Sequence, residues 1–101
     1  PSGTALSIAK IISKSKGYKN LIFDRTKHGK RQQSELDITS ERLGGIPGIH
    51  EINIAGPYEI LRLEHIVFSR AAFARGALVA AKWLHNISEP QVYSMKDVIS
   101  N

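Results

Sequence analysis

Gly3 and Thr4 stand where a glycine and a hydroxyl can act together, in Pro1-Ser2-Gly3-Thr4-Ala5, directly ahead of a helical hydrophobic pattern. The first backbone N–H groups of a helix have no partner within it. They point outward and, with the positive end of the helix dipole, suit a carboxylate or a phosphate. Gly3 lets an anion approach the backbone, and the Thr4 hydroxyl adds a donor. The same residue types also make an ordinary cap, for which Ser2 or Thr4 is suited. Ser69-Arg70 is a second position of this kind, ahead of a long apolar stretch. The dipole disfavours a cation there, so Arg70 needs a reason to occupy it. One reason is an anion held jointly by the helix N–H groups and the two-point fork of the guanidinium. The other is a surface Arg with its own carboxylate partner, such as Glu64. Two such positions point to a ligand with two carboxylates, one at each helix N-terminus.

Other chemistries find less footing. The histidines are His28, His50, His65 and His85; His50 and His65 fall on strands joined at Gly56-Pro57 and can be cross-strand neighbours. A metal site needs three or four ligands, and no helical or finger-like spacing supplies them. The chain has no cysteine, which removes disulfides, thiolate metal sites and cysteine nucleophiles together. There is no G-x-S-x-G elbow and no P-loop. Gly44-Gly45-x-x-Gly48 lacks the strand-turn-helix setting of a dinucleotide fingerprint. With a net charge of +5, the basic stretch Asp24 to Gln33, carrying Arg25, Lys27, Lys30 and Arg31, reads either as a solvated loop or as the phosphate-contacting part of a small basic α+β nucleic-acid-binding module. The latter has few aromatics for base stacking.

The elements that must position these residues follow from periodicity. Ala5, Ile8, Ala9 and Ile12 make one face of an amphipathic helix that runs to Lys16 and stops at Gly17. From Gly17 to Ser34 no period holds, and an ordered start with a mobile basic tip is expected. Leu36 and Ile38, then Ile49 to Ala55, then Tyr58 to Phe68 alternate as strands, with Gly56-Pro57 as a hairpin turn. Ser69 caps a helix from Arg70 to about His85 that is apolar almost all round and so must be buried on several sides. Tyr93 to Ile99 makes a short terminal helix, with Tyr93 and Met95 packing inward. The expected fold is α+β: an antiparallel or mixed sheet of three to four strands, packed on one face by helices. At 101 residues, with 42% hydrophobic and 23% charged, the chain supports one globular domain. Its longest nearly apolar run, Ala71 to Leu84, contains Arg75 and Lys82 and is shorter than the ~20 residues of a membrane span. No signal peptide is visible, so a cytoplasmic protein is expected.

Several segments together resemble the dihydrodipicolinate reductase family. Pro1-Ser2-Gly3-Thr4-Ala5 is similar to the end of the family signature, in which a histidine pair, a lysine and Asp-Ala come just before. Gly45-Ile46-Pro47-Gly48-Ile49-His50 resembles the glycine-rich segment ending in Gly-x-His. Glu64-His65 and Phe68-Ser69-Arg70 through Phe73-Ala74-Arg75-Gly76-Ala77 resemble the Thr-His, Ser-Arg and Phe-Ala-x-Gly-Ala run. Tyr93-Ser94-Met95-Lys96-Asp97-Val98 resembles the closing Tyr-x-Met-x-Asp-Val. Ile49 stands where Glu is frequent, and Glu64 where Thr is common.

The resemblance implies reduction of a cyclic dicarboxylate, dihydrodipicolinate or its hydrated precursor, to tetrahydrodipicolinate by NADH or NADPH in diaminopimelate and lysine synthesis. It implies that residues 1–101 are a C-terminal substrate-binding and tetramerisation domain, without the dinucleotide-binding domain that precedes it. It assigns one substrate carboxylate to Gly3 and Thr4, places Arg70 near substrate and nicotinamide, and sets Phe73 beside the nicotinamide. The catalytic histidine and lysine are expected upstream of Pro1, so the chain alone should be inactive. A homotetramer built through these sheets is expected, with neither nucleic acid nor membrane as partner. A purely structural reading, an oligomerisation domain only, remains open for the isolated chain.

Overall fold

The computed structural model describes residues 1–100, which divide into two compact units, Pro1–Ile66 and the remainder from Val67.

The first unit opens with helix α1, Gly3–Lys16. Ser2 is its cap: the extended Ser2 backbone lets the side-chain oxygen accept from the Ala5 N–H at 3.1 Å. The read face holds, with Ala9 buried and Ala5, Ile8 and Ile12 half-buried. Gly17 ends the helix in the left-handed region, φ 75°, and its N–H donates to the Ser13 carbonyl at 2.8 Å. A side chain there would be strained.

The segment read as lacking any element contains one. Strand β1, Asn20–Ile22, pairs in parallel with β2, Glu35–Asp37, in the register Asn20↔Glu35, Leu21↔Leu36, Ile22↔Asp37. Three residues are too few for alternation to be read, and a parallel partner leaves no turn signal beside it. Between the two strands Asp24 caps a 3-10 turn, Arg25–Lys27, its carboxylate accepting from the Thr26 N–H at 3.1 Å.

Arg25 ties this excursion down. Its guanidinium donates to Glu35 at 2.8 Å and to both carboxylate oxygens of Asp37, so the expected loose basic tip begins with a residue forked onto β2. The Arg25 hydrogen bond holds the Asp37 carboxyl below its ordinary range. Glu35 is lowered by the Gln32 backbone N–H and then by Arg25. Because both folded-state values lie below the unfolded ones, the stabilisation is present above about pH 4 and is lost as pH falls through the lowered values. Hydrogen exchange in residues 24–37 should therefore accelerate on acidification below about pH 4. Arg25→Gln should accelerate it already at neutral pH and flatten the acid dependence.

Strands β3, Gly48–Ala55, and β4, Ile60–Val67, form a second ladder joined by a tight turn, where the Gly56 N–H donates to the Glu59 carbonyl at 2.8 Å. Across the hairpin Arg62 donates to Asn53 at 2.6 Å and lies 3.3 Å from Glu51. The Asn53 amide, donating at 2.7 Å, is the main reason that the Glu51 carboxyl lies below its ordinary range. Among the described residues the four strands thus stand as two separate pairs, one parallel and one hairpin, where one antiparallel or mixed sheet of three to four strands was expected. The fold class is α+β with mixed pairing.

In the second unit, helix α2, Ala71–His85, precedes α3, Met95–Ser100. Trp83 and Tyr93 meet edge to face with ring centroids 5.1 Å apart, and the Tyr93 hydroxyl donates to the Glu89 carbonyl at 2.8 Å. This contact returns the tail to α2. Two expectations need correction. No residue of α2 is buried, because α3, the other helix of its unit among the described residues, is only six residues long and does not surround it. Met95, expected inward, is half exposed, since the contact goes to Tyr93 instead.

Candidate functional site

The N-terminus of α1 leaves two donors unused. Ser2 spends its side-chain oxygen on the Ala5 N–H and its carbonyl on the Leu6 N–H at 3.1 Å. That leaves the N–H groups of Gly3 and Thr4 without a partner among the described residues. Both residues are exposed, and beyond its chain neighbours and the helix backbone no heavy atom lies within 4 Å of the position a Gly3 side chain would take. Two adjacent N–H groups at the positive end of a 14-residue helix, with the Thr4 hydroxyl beside them, can hold an anion by backbone alone.

A residue not singled out for this site reaches it. His50, on β3, has Nε2 3.2 Å from the Ser2 hydroxyl. In the sequence His50 stands as a possible metal ligand and as the end of the Gly-x-His segment, with no link to Ser2, and a partner 48 residues away leaves no local signal. The signal present is alternation: Gly48, His50 and Ile52 are half-buried while Ile49, Glu51 and Asn53 are exposed, so the imidazole lies on the inward side. Its ring also lines a groove of about 620 Å³ beneath α1, together with Ala5, Ile8 and Ile52.

Arg70 and Phe73 lie in the second unit. Arg70 is the residue just ahead of α2, already helical in backbone (φ −62°, ψ −12°), and makes no side-chain cap. Ser69 does that work, its hydroxyl oxygen accepting from the Ala71 N–H at 3.1 Å. The Arg70 guanidinium is exposed and has no carboxylate partner among the described residues. Phe73 stands one turn on, half exposed, on the same side of the helix as Arg70.

The basic stretch is engaged within its own unit. Arg25 is forked onto Glu35 and Asp37, and Lys27 lies 3.5 Å from Asp24. Arg31 donates to the Glu35 carbonyl at 3.0 Å and covers the Tyr18 ring at 5.9 Å. Three of the four cations of this stretch thus have partners within the unit, and the nucleic-acid-binding alternative has no support. Among the described residues no three His, Asp or Glu side chains cluster as metal ligands, and no helix is long and apolar enough to cross a membrane.

Comparison with known proteins bears on what anion these donors meet. The family model described as dihydrodipicolinate reductase, C-terminus, matches residues 1–99. Among curated relatives, 4-hydroxy-tetrahydrodipicolinate reductase of Aquifex aeolicus is 39% identical over 99 residues, covering 98% of this chain and 37% of the relative. The protein of the same name from Methanopyrus kandleri is 42% identical over 100 residues, 98% of this chain and 36% of its own length. That from Rickettsia akari is 40% identical over 98 residues, 97% and 39%. The chain therefore spans well under half the length of the relatives it matches.

Proposed function

We propose a function from one premise: the chain belongs to the dihydrodipicolinate reductase family, of which it is the C-terminal part. The enzyme containing it reduces dihydrodipicolinate, or its hydrated form 4-hydroxy-tetrahydrodipicolinate, to tetrahydrodipicolinate with hydride from NADH or NADPH. The reaction serves diaminopimelate and lysine synthesis in the cytoplasm. Residues 1–101 are its substrate-binding and tetramerisation domain, and a dinucleotide-binding domain lies elsewhere in the protein.

Gly3 and Thr4 hold one substrate carboxylate through two backbone N–H groups and the Thr4 hydroxyl. The observation that carries this is the pair of unpartnered, exposed N–H groups left once Ser2 has taken Ala5 and Leu6. A carboxylate accepting several backbone N–H bonds stays ionised, and its charge is met without a protein cation. Arg70 contacts the substrate in the assembled enzyme, and Arg70 and Phe73 border the nicotinamide. The chain does not carry the cofactor's phosphate cradle: its Gly44–Gly48 segment leads into strand β3, not into a helix N-terminus. The hydride goes to the reduced carbon and a proton to the atom that takes up the displaced electron pair; the acid that supplies this proton belongs to the part outside this chain, and residues 1–101 alone are inactive.

Exposed apolar side chains on both sides of β4, Ile60 and Ile66 on one and Leu61 and Leu63 on the other, support assembly of these hairpins into a homotetramer. An isolated chain would leave that surface in water.

The test is dicarboxylate-dependent oxidation of NADH or NADPH by the full-length protein, followed by absorbance. Absence of turnover with either nucleotide would overturn the reading. Thr4→Val, which keeps the shape and removes the hydroxyl, should raise the substrate KM roughly three- to tenfold, the worth of one hydrogen bond, with the nucleotide KM unchanged.

A further inference from the structure

We propose that His50 is a positioning residue for the substrate carboxylate, holding Ser2 so that the Gly3 and Thr4 N–H groups keep a fixed aim. The inference rests on the reading that those two groups bind a carboxylate. Its ground is that the Ser2 hydroxyl meets two partners at once, the Ala5 N–H at 3.1 Å and His50 Nε2 at 3.2 Å. A serine hydroxyl has one proton and two lone pairs. With one lone pair given to Ala5, it can donate to the imidazole or accept from it, and either bond fixes the Ser2 rotamer.

The two partners come from different levels of structure. Ala5 belongs to the same helical turn and frays with it, whereas His50 belongs to β3, eight residues long and hydrogen-bonded to β4. The half-buried imidazole also lines the groove beneath α1. The bond therefore ties the first turn of the helix, where terminal fraying is expected, to a strand that does not share the fraying. Gly3 adds need for such a tie, since a glycine in the first turn leaves the backbone freer than any other residue. Nε2 points at Ser2 and not at the open space beside Gly3, so His50 acts through the cap.

The experiment uses the full-length reductase and pyridine-2,6-dicarboxylate as probe. His50→Ala should weaken the probe, and raise the substrate KM, by roughly three- to tenfold, leaving the NADH or NADPH KM unchanged. His50→Gln, whose terminal amide reaches about as far as Nε2, should restore most of the loss. Ser2→Ala removes this bond and the Ala5 cap together, so it should weaken the probe at least as much as His50→Ala, and the double variant should be no worse than Ser2→Ala, in which the His50 bond is already gone. The inference is overturned if His50→Ala binds the probe as wild type does, if Gln and Ala weaken it equally, or if the double variant is additive. Should His50→Ala fail to fold, Ser2→Ala decides: wild-type probe affinity in that variant overturns the proposal. A wild-type enzyme that does not bind the probe removes the underlying reading of Gly3 and Thr4, which is a different result from tight wild-type binding untouched by these variants.

Discussion

Arg70→Ala in the full-length protein should weaken pyridine-2,6-dicarboxylate roughly ten- to a hundredfold, the size of a lost charge-assisted hydrogen bond. The expectation follows from what Arg70 lacks. Ser69 has taken the capping role, and the guanidinium has no carboxylate partner, so nothing among the described residues accounts for a cation at the positive end of α2. Removing it should leave thermal stability unchanged or slightly raised, because a cation there is itself unfavourable. Loss of affinity without loss of stability separates a ligand contact from a structural one. Arg70→Lys keeps the charge and loses the fork, so it should fall between alanine and wild type. Unchanged inhibitor affinity in Arg70→Ala would remove the assignment.

Ile22→Ala should destabilise the first unit by about 2 to 4 kcal/mol. Ile22 is 6% exposed, and the only other buried apolar residues among those described are Ala9 and Val67. With so few side chains out of water, one isoleucine carries a large share of the core. It also stands in β1, whose Ile22 carbonyl accepts from the Ile38 N–H at 2.9 Å beyond the ladder with β2, so a cavity there loosens a pairing only three residues long. Urea unfolding, combined with hydrogen exchange in residues 20–22 and 35–38, would locate the loss. A change below about 1 kcal/mol would mean that the space collapses and that Ile22 is not a core residue.

Long periodic elements were legible in the residues. Ala5, Ile8, Ala9 and Ile12 announced α1, Ser2 or Thr4 and Gly17 its ends, and the alternation of residues 49–55 and 58–68 announced a hairpin closed at Gly56-Pro57. Leu36 and Ile38 announced β2, but β1 and its parallel pairing were not legible, because the pattern of β1 is short and the pairing non-local. Arg25 shows the same limit: as sequence it is one of four cations in a loop, and only pairing with β2 brings Glu35 and Asp37 to its two edges.

The candidate site divides along the same line. By itself the sequence determined the family, through four short segments in order, and two helix N-termini with the residues that stand at them, because helix starts are set by neighbours a few positions apart. Only the tertiary structure decided which donors are left over, that Ser2 and not Thr4 caps α1, that Ser69 relieves Arg70 of capping, and that His50 reaches Ser2 from a strand far along the chain. Those outcomes depend on which hydrogen-bonding groups meet once the chain has folded, and spacing along the sequence does not encode a meeting between residues 2 and 50.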